Sequence, residues 1–296
     1  MSNDTHLIVG ATGLLGGEIC RLLAERGHKV RALVRGTASP EKLFELKKLG
    51  AELAEGDLKD GTSLDRACRG AGAVISTASS TLSRQAGDSI QTVDLEGQLR
   101  LVDAARVAGV KRFVFVSFRN NPKIQYPLTR AKRTVEQRLK ESELDYTVLQ
   151  ASYFMEVWLS PALGFDYASA KTRIYGTGQN PVSWISSADV AQFSVAVLAN
   201  PATQNTILEI GGPEALSPLE VVKIFEQHSG RKFEVEQVPQ DALQAQLATA
   251  VDPLQQTFAG LMLQCAAGDA IDMRRTREVF RVPLTSVRDY ARHVLA

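Results

Sequence analysis

Gly10-Ala11-Thr12-Gly13-Leu14-Leu15-Gly16 is the feature that most narrows the folds open to this chain. The apolar run Leu7 to Val9 leads into it. Residues 14–26 follow, with Leu15, Ile19, Leu22 and Leu23 at helical spacing and Gly27 as a stop. A glycine-rich turn between a strand and a helix has a particular use. Its first glycine permits a tight turn, and its second lets backbone N–H groups approach a diphosphate. The third lets the helix pack closely on the strand, so that the anion rests on the positive end of the helix. Gly10, Thr12, Gly13, Leu14, Leu15 and Gly16 are therefore the candidate dinucleotide-binding loop.

The rest of the first half repeats the same alternation. Strand-like runs occur at Val30 to Val34, Ala51 to Ala54, Val74 and Ile75, Phe113 to Val116, and Tyr146 to Leu149. Helical patterns lie between them at residues 40–49, 89–108 and 128–142. Strands separated by helices of this length imply a parallel sheet with right-handed crossovers. The expected fold class is α/β: a Rossmann-type doubly wound parallel sheet with a smaller C-terminal α/β substrate domain. The rhythm breaks near residue 150. Residues 151–185 are rich in aromatics, Gly and Pro, as a substrate-facing loop region would be. Beyond them, Ser217-Pro218-Leu219-Glu220 is a capping box that opens a helix. A strand is expected over 232–238, a helix over 252–266 and a last helix from about Ser286. The expected division is 1–150 for dinucleotide binding and 151–296 for a substrate-binding region interleaved with the sheet.

The end of the second strand bears on which dinucleotide is bound. NAD sites usually place Asp or Glu there, against the ribose 2′-hydroxyl. This chain has no acid between Glu25 and Glu41 and offers Arg31, Arg35 and Lys42 instead. Arg35, at the strand end, can clamp a 2′-phosphate with its planar fork. NADP(H) is the expected cofactor, with NAD(H) as the alternative. Asp57 and Leu58, in the Gly56-Asp57-Leu58 turn, are placed beside the adenine. Thr77, Ala78 and Ser79, ending the fourth strand, are placed beside the nicotinamide-side ribose.

Composition removes other classes. Lys plus Arg is 34 against 33 for Asp plus Glu, which gives no general pull toward nucleic acid or an anionic membrane. Cys20, Cys68 and Cys265 lie far apart without a CxxC spacing, as reduced thiols in a cytoplasmic protein do. No leader pattern and no run of membrane-spanning length occurs, so a soluble cytoplasmic protein is expected. His6, His28, His228 and His293 show no metal-ligand spacing, and no metal is expected.

With these residues in view, the chain resembles the NmrA-like branch of the atypical short-chain dehydrogenases. The resemblance rests on GATGLLG at 10–16, ALVR at 32–35, GDL at 56–58 and VKRFVFVS at 110–117. It continues through the long run from Ala131 to Trp158 and PVSWISSADVAQF at 181–193. It implies a Rossmann domain, a small C-terminal substrate domain, and a cofactor lying across the strand ends. The family holds NAD(P)H-dependent quinone, azo and isoflavone-type reductases, and also dinucleotide-sensing regulators.

Ordinary short-chain dehydrogenases carry Ser, Tyr and Lys, with the Lys cation lowering the Tyr pKa so that the phenol can exchange a proton. The candidate catalytic residues here are Ser117, ending the fifth strand, Lys132, in the following helix, and Tyr126. Leu128 holds the place where the tyrosine would stand four residues before Lys132. Tyr126 precedes Pro127, which biases it out of helical geometry. Lys132 is therefore expected to hold the ribose hydroxyls of the nicotinamide side. Tyr153 and Phe154 follow the sixth strand, where the family walls the nicotinamide. Two functions stay open. One is an NADPH-dependent reductase of a small aromatic, quinone-like or conjugated carbonyl substrate held against residues 151–185. The other is a non-catalytic NADP(H) sensor acting through a protein partner. No nucleic acid or membrane partner is expected, and the protein is read as a monomer or homodimer.

Overall fold

In a computed structural model, residues 4–83, 85–119 and 121–296 are described. The glycine loop connects β1 (Thr5–Val9) to α1 (Leu14–Glu25), whose Leu15, Ile19 and Leu23 turn into the core as their spacing requires. The chain then forms β2 (Lys29–Val34), α2 (Pro40–Lys48), β3 (Glu52–Glu55), α3 (Gly61–Cys68) and β4 (Ala71–Ser76). A π-helical stretch, Ile90–Gly97, runs directly into α4 (Gln98–Val107). After it come β5 (Arg112–Phe118), α5 (Pro127–Lys140), β6 (Asp145–Ala151) and the short α6 (Met155–Trp158). β7 (Phe165–Asp166), β8 (Lys171–Tyr175), α7 (Ser187–Ala196), β9 (Thr206–Ile210), α8 (Pro218–Ser229) and β10 (Glu234–Val238) follow. The chain closes with α9 (Gln240–Thr249), α10 (Pro253–Ala267), α11 (Arg274–Val279) and α12 (Val287–Leu295).

The main sheet has seven strands in the order β3-β2-β1-β4-β5-β6-β9. β1 pairs in parallel with β2 and β4, β2 with β3, and β4 with β5. The chain moves outward from β1 to β3 and then returns to β1's other side with β4. That reversal is the switch point at which doubly wound sheets bind ligands, beyond the carboxyl ends of the strands. The fold class read from the sequence is the one observed.

The chain divides into two compact units, Met1–Phe118 with Leu128–Leu149 and Ala191–Leu208, and Arg119–Pro127 with Gln150–Val190 and Glu209–Ala296. In the first, Leu7, Val9, Leu33, Val74, Phe113, Phe115 and Val148 pack with Leu64, Leu101, Val135 and Leu139 from the helices. The second carries a three-stranded sheet, β10-β8-β7, with β8 and β10 parallel and β7 antiparallel to β8. Phe165, Phe225 and Phe233 form its aromatic centre, with Phe165 and Phe225 rings 4.7 Å apart and edge-on.

Two local expectations are refined and one is met. The helix expected over 89–108 begins as a π-helical turn, capped by Ser89 and Thr92. Gly97 there lies so close to Leu58 that a Cβ would come within 2.8 Å of it. The aromatic segment 151–185 contains α6, β7 and β8 and is not only loop. The capping box at Ser217 and Glu220 forms as expected, each side chain accepting from the other's backbone N–H.

Candidate functional site

The glycine loop has little room for side chains. Gly10 has φ +90, and a Cβ there would lie 2.6 Å from Thr77 Oγ1. A Cβ on Gly16 would come within 2.1 Å of the Gly10 carbonyl oxygen, so only glycine lets the helix leave the loop at this angle. Gly13 is different: it donates its N–H to Gly10 O at 3.0 Å, and a Cβ would meet only that oxygen, at 3.2 Å. Gly13 caps α1 without a side-chain acceptor, and no acid lies in the first turn. The first N–H groups of α1 therefore lack the side-chain partner that most helices carry. Gly13 and Leu14 are exposed, Thr12 is half-buried, and Leu15 turns into the core. Such an opening fits an anion.

The three cations near the second strand separate clearly. Arg31 is committed elsewhere, donating to Ala67 O and Arg69 O and pairing with Glu52. Lys42 is exposed on α2. Arg35 follows β2, and its Nη1 meets Asp88 Oδ2 at 2.6 Å. Lys59, unremarked in the sequence one residue beyond the GDL turn, reaches the same carboxylate, with Nζ 2.5 Å from Oδ1. Ser83 Oγ donates to Asp88 as well. Burial pushes the Asp88 carboxyl up, but donors from Lys59, Ser83 and Arg35 outweigh it and hold it at about 2. Asp57 shapes the turn by accepting from the Lys59 N–H at 2.8 Å, and Leu58 is buried against Gly97.

At the end of β4, the Thr77 N–H donates to Val9 O at 2.9 Å, which sets this strand end beside the glycine loop. The Ala78 carbonyl accepts from Gln98 Nε2, and Ser79 Oγ lies 3.3 Å from Thr81 Oγ1. Ser80 donates both its N–H and its hydroxyl to Asp94 Oδ2, at 2.9 and 2.6 Å. Asp94 projects from the π-helical turn and is fully buried. Its other oxygen lies 3.8 Å from Lys132 Nζ. Lys132 is itself buried over the Phe115 ring, 3.4 Å from Val116 O. Burial lowers its pKa, opposed by the charges of Asp94 and Glu136.

Ser117 does not present an idle hydroxyl. Buried at the end of β5, it donates to Glu136 Oε1 at 2.6 Å and accepts from Arg133 Nη2 at 2.9 Å. Tyr126 is wholly buried under α10 and donates its phenol to Gln264 Oε1 at 3.1 Å. A Cβ on Gly260 would lie 2.3 Å from its ring, so glycine is what lets α10 seat there. Tyr153 is likewise wholly buried, donating to Leu261 O at 2.9 Å, with its ring edge-on to Trp158 at 4.7 Å. Burial raises its phenol pKa well above the ordinary value. Phe154 is half-buried and bridges to Ile185. Ser117, Tyr126 and Tyr153 thus stand in packed hydrogen-bonded settings. The Lys132–Asp94 pair is buried as deeply, whereas Gly13 and Leu14 of the glycine loop are exposed and Arg35 is half-exposed. Among the described residues no helix is long and apolar enough to cross a membrane.

Comparisons with known proteins agree with this architecture. The model of the NmrA-like family matches residues 2–281. The photosystem II assembly factor Ycf39 of Synechocystis sp. is 34% identical over 80% of this chain and 71% of its own length. The NAD(P)H azoreductase of Xenophilus azovorans is 32% identical over 76% of this chain and 74% of its own. Among solved structures, the NADPH-dependent quinone oxidoreductase QOR2 of Escherichia coli, complexed with NADPH, superposes with a TM-score of 0.79. It is 20% identical and covers 98% of this chain and all of its own, a likeness of fold. With its glycine loop, its switch-point sheet and a family match over nearly its whole length, the chain belongs to the NmrA-like family.

Proposed function

We propose that this protein is an NADPH-dependent oxidoreductase that passes hydride to an aromatic, quinone-like or conjugated carbonyl acceptor. The observation that supports the reading is a pair of electropositive features at the strand ends. One is the uncapped start of α1 behind Gly10, Gly13 and Gly16. The other is the cation pair of Arg35 and Lys59. A dinucleotide with a 2′-phosphate matches both. Asp57 and Leu58 would border its adenine, and Thr77, Ala78 and Ser79 its other ribose. Lys132, backed by Asp94, would hold the ribose hydroxyls there. When bound, reduced nicotinamide supplies the hydride. Quinones and azo compounds accept hydride readily and take a proton from water, so Leu128 in the usual tyrosine's place is no obstacle. The azoreductase relative, at 32% identity, supports this class of acceptor.

A second reading has its own support. Relatives at 34% identity are named as assembly factors of photosystem II, and Ser117 and Tyr126 are enclosed and engaged with Glu136 and Gln264, which supports a binding role without turnover. Calorimetric titration with NADPH and NADH, then NADPH oxidation against quinones, azo dyes and enones, separates the two. Preference for NADPH with turnover of one acceptor class supports the reductase. Tight NADPH binding with no turnover supports the regulator, and no dinucleotide binding overturns both.

A further inference from the structure

The Asp88 carboxylate draws two cations, one of which, Lys59, also lies 3.7 Å from Asp57 Oδ2. The Asp88 side chain is 3% exposed, between Arg35 Nη1 at 2.6 Å, Lys59 Nζ at 2.5 Å and Ser83 Oγ at 2.5 Å. These partners come from separate parts of the chain. Arg35 follows β2, Lys59 follows β3, and Ser83 and Asp88 belong to the segment after β4. Thr37 Oγ1 and Gln85 Oε1, 2.8 Å apart, fasten the same segment to the end of β2. Two cations and a hydroxyl converging on one carboxylate match the charge and the terminal oxygens of a phosphate monoester, with Asp57 a longer and more exposed partner of Lys59. The cations also remain reachable, with Arg35 35% and Lys59 30% exposed.

We infer that Lys59 and Asp88 set how strongly this protein distinguishes a 2′-phosphorylated dinucleotide from an unphosphorylated one. Lys59 is the second cation for the 2′-phosphate beside Arg35, and Asp88 is an internal anion that holds the pair until the phosphate displaces it. The inference rests on the NADP(H) reading above. A 2′-phosphate entering beside Asp88 would place like charges within a few ångströms of each other, so the carboxylate must give way. A 2′-hydroxyl carries no charge with which to displace it. Asp88 therefore holds down affinity for the phosphorylated cofactor and keeps its segment folded when that phosphate is absent.

The test is calorimetry on the full chain with 2′,5′-ADP, 5′-ADP, NADPH and NADH. Asp88→Asn should tighten 2′,5′-ADP and NADPH by about tenfold and change 5′-ADP and NADH by less than about twofold. Lys59→Met should weaken 2′,5′-ADP by about tenfold and spare 5′-ADP, and it carries the test if Asp88→Asn does not fold. If Asp88→Asn leaves the phosphorylated ligands unchanged or weaker, the carboxylate only aligns Arg35, and the inference falls while the NADP(H) reading stands. Unchanged 2′,5′-ADP binding in Lys59→Met also overturns it. A parent protein that binds 2′,5′-ADP no better than 5′-ADP, with Arg35→Ala without effect, overturns the NADP(H) reading and the inference together.

Discussion

Replacing Lys132 with alanine should damage the protein in two separable ways, and the size of each follows from its surroundings. Lys132 and Asp94 have side chains 6% and 0% exposed, with their charges 3.8 Å apart. The pair is long for an ion pair, so its mutual attraction is not the main quantity. What matters is the carboxylate left behind. Asp94 Oδ2 keeps both Ser80 donors, while Oδ1 has no hydrogen-bond donor and relies on the nearby ammonium. Removing one partner of a buried pair typically costs about 3–5 kcal/mol, because the other charge is stranded. Against a total stability of about 5–15 kcal/mol, such a loss is measurable without unfolding every molecule. Lys132→Ala should therefore lower the unfolding free energy in a denaturant titration by about 3 kcal/mol or more. The double variant Lys132→Ala, Asp94→Asn removes both charges and should recover at least about half of that loss. Where the variant stays folded, the Michaelis constant for NADPH should rise more than kcat falls if the ammonium holds the cofactor's ribose as proposed. A loss below about 1 kcal/mol, or single-variant losses that simply add in the double, would refute the reasoning, because the two charges would then be independent.

Gly16→Ala should not fold, since its Cβ would lie 2.1 Å from a backbone oxygen, whereas Gly13→Val, with a Cβ at 3.2 Å, should fold and lose dinucleotide binding by calorimetry. Retained affinity in folded Gly13→Val would mean that the loop is only a turn. Tyr126→Phe should cost about 1–2 kcal/mol of stability for the lost bond to Gln264 and leave hydride transfer within a few-fold; a loss above about a hundredfold would make Tyr126 the acid. Asp189 gives a pH signature. Burial pushes its carboxyl up to about 6, the two Thr285 donors oppose this, and the Glu156 charge adds to it. The folded state then holds that proton to higher pH than the unfolded chain, so stability falls as pH rises from about 4 to about 6 and is level above. Asp189→Asn should remove about 2–3 kcal/mol of that fall in melts at pH 4 and pH 7.5, and an unchanged pH slope would exclude Asp189 as its source.

Much of the fold is legible because its signals are local. The spacing of Leu15, Ile19 and Leu23 writes the face of α1, and Ser217 with Glu220 writes the start of α8. Gly10 and Gly16 announce a loop in which no side chain fits, since that requirement belongs to consecutive residues. Other features carry a weaker local signal. α3 buries Leu64, Ala67 and Cys68 on one face, but over only eight residues, and β9 is half-buried without a clean alternation. The first turns of the expected 89–108 helix obey a helical pattern, yet they wind as a π-helix where Gly97 meets Leu58 from another part of the chain.

The same division holds for the site. The sequence by itself determined the parallel alternation, the glycine loop, an acid-free strand end with Arg35, and Leu128 in place of a tyrosine. Each of these depends on residue type at fixed offsets along the chain. Only the tertiary structure decided which cations are committed and which polar side chains are enclosed. Arg31 and Arg35 look alike in sequence, but one is tied to carbonyls at the end of α3 and the other faces Asp88. Lys59, Asp88 and Asp94 become notable only where β2, β3, β4 and α5 bring distant residues together. Charge interactions depend on distance in space and on exclusion of water, and neither is written in the spacing of residues along a chain.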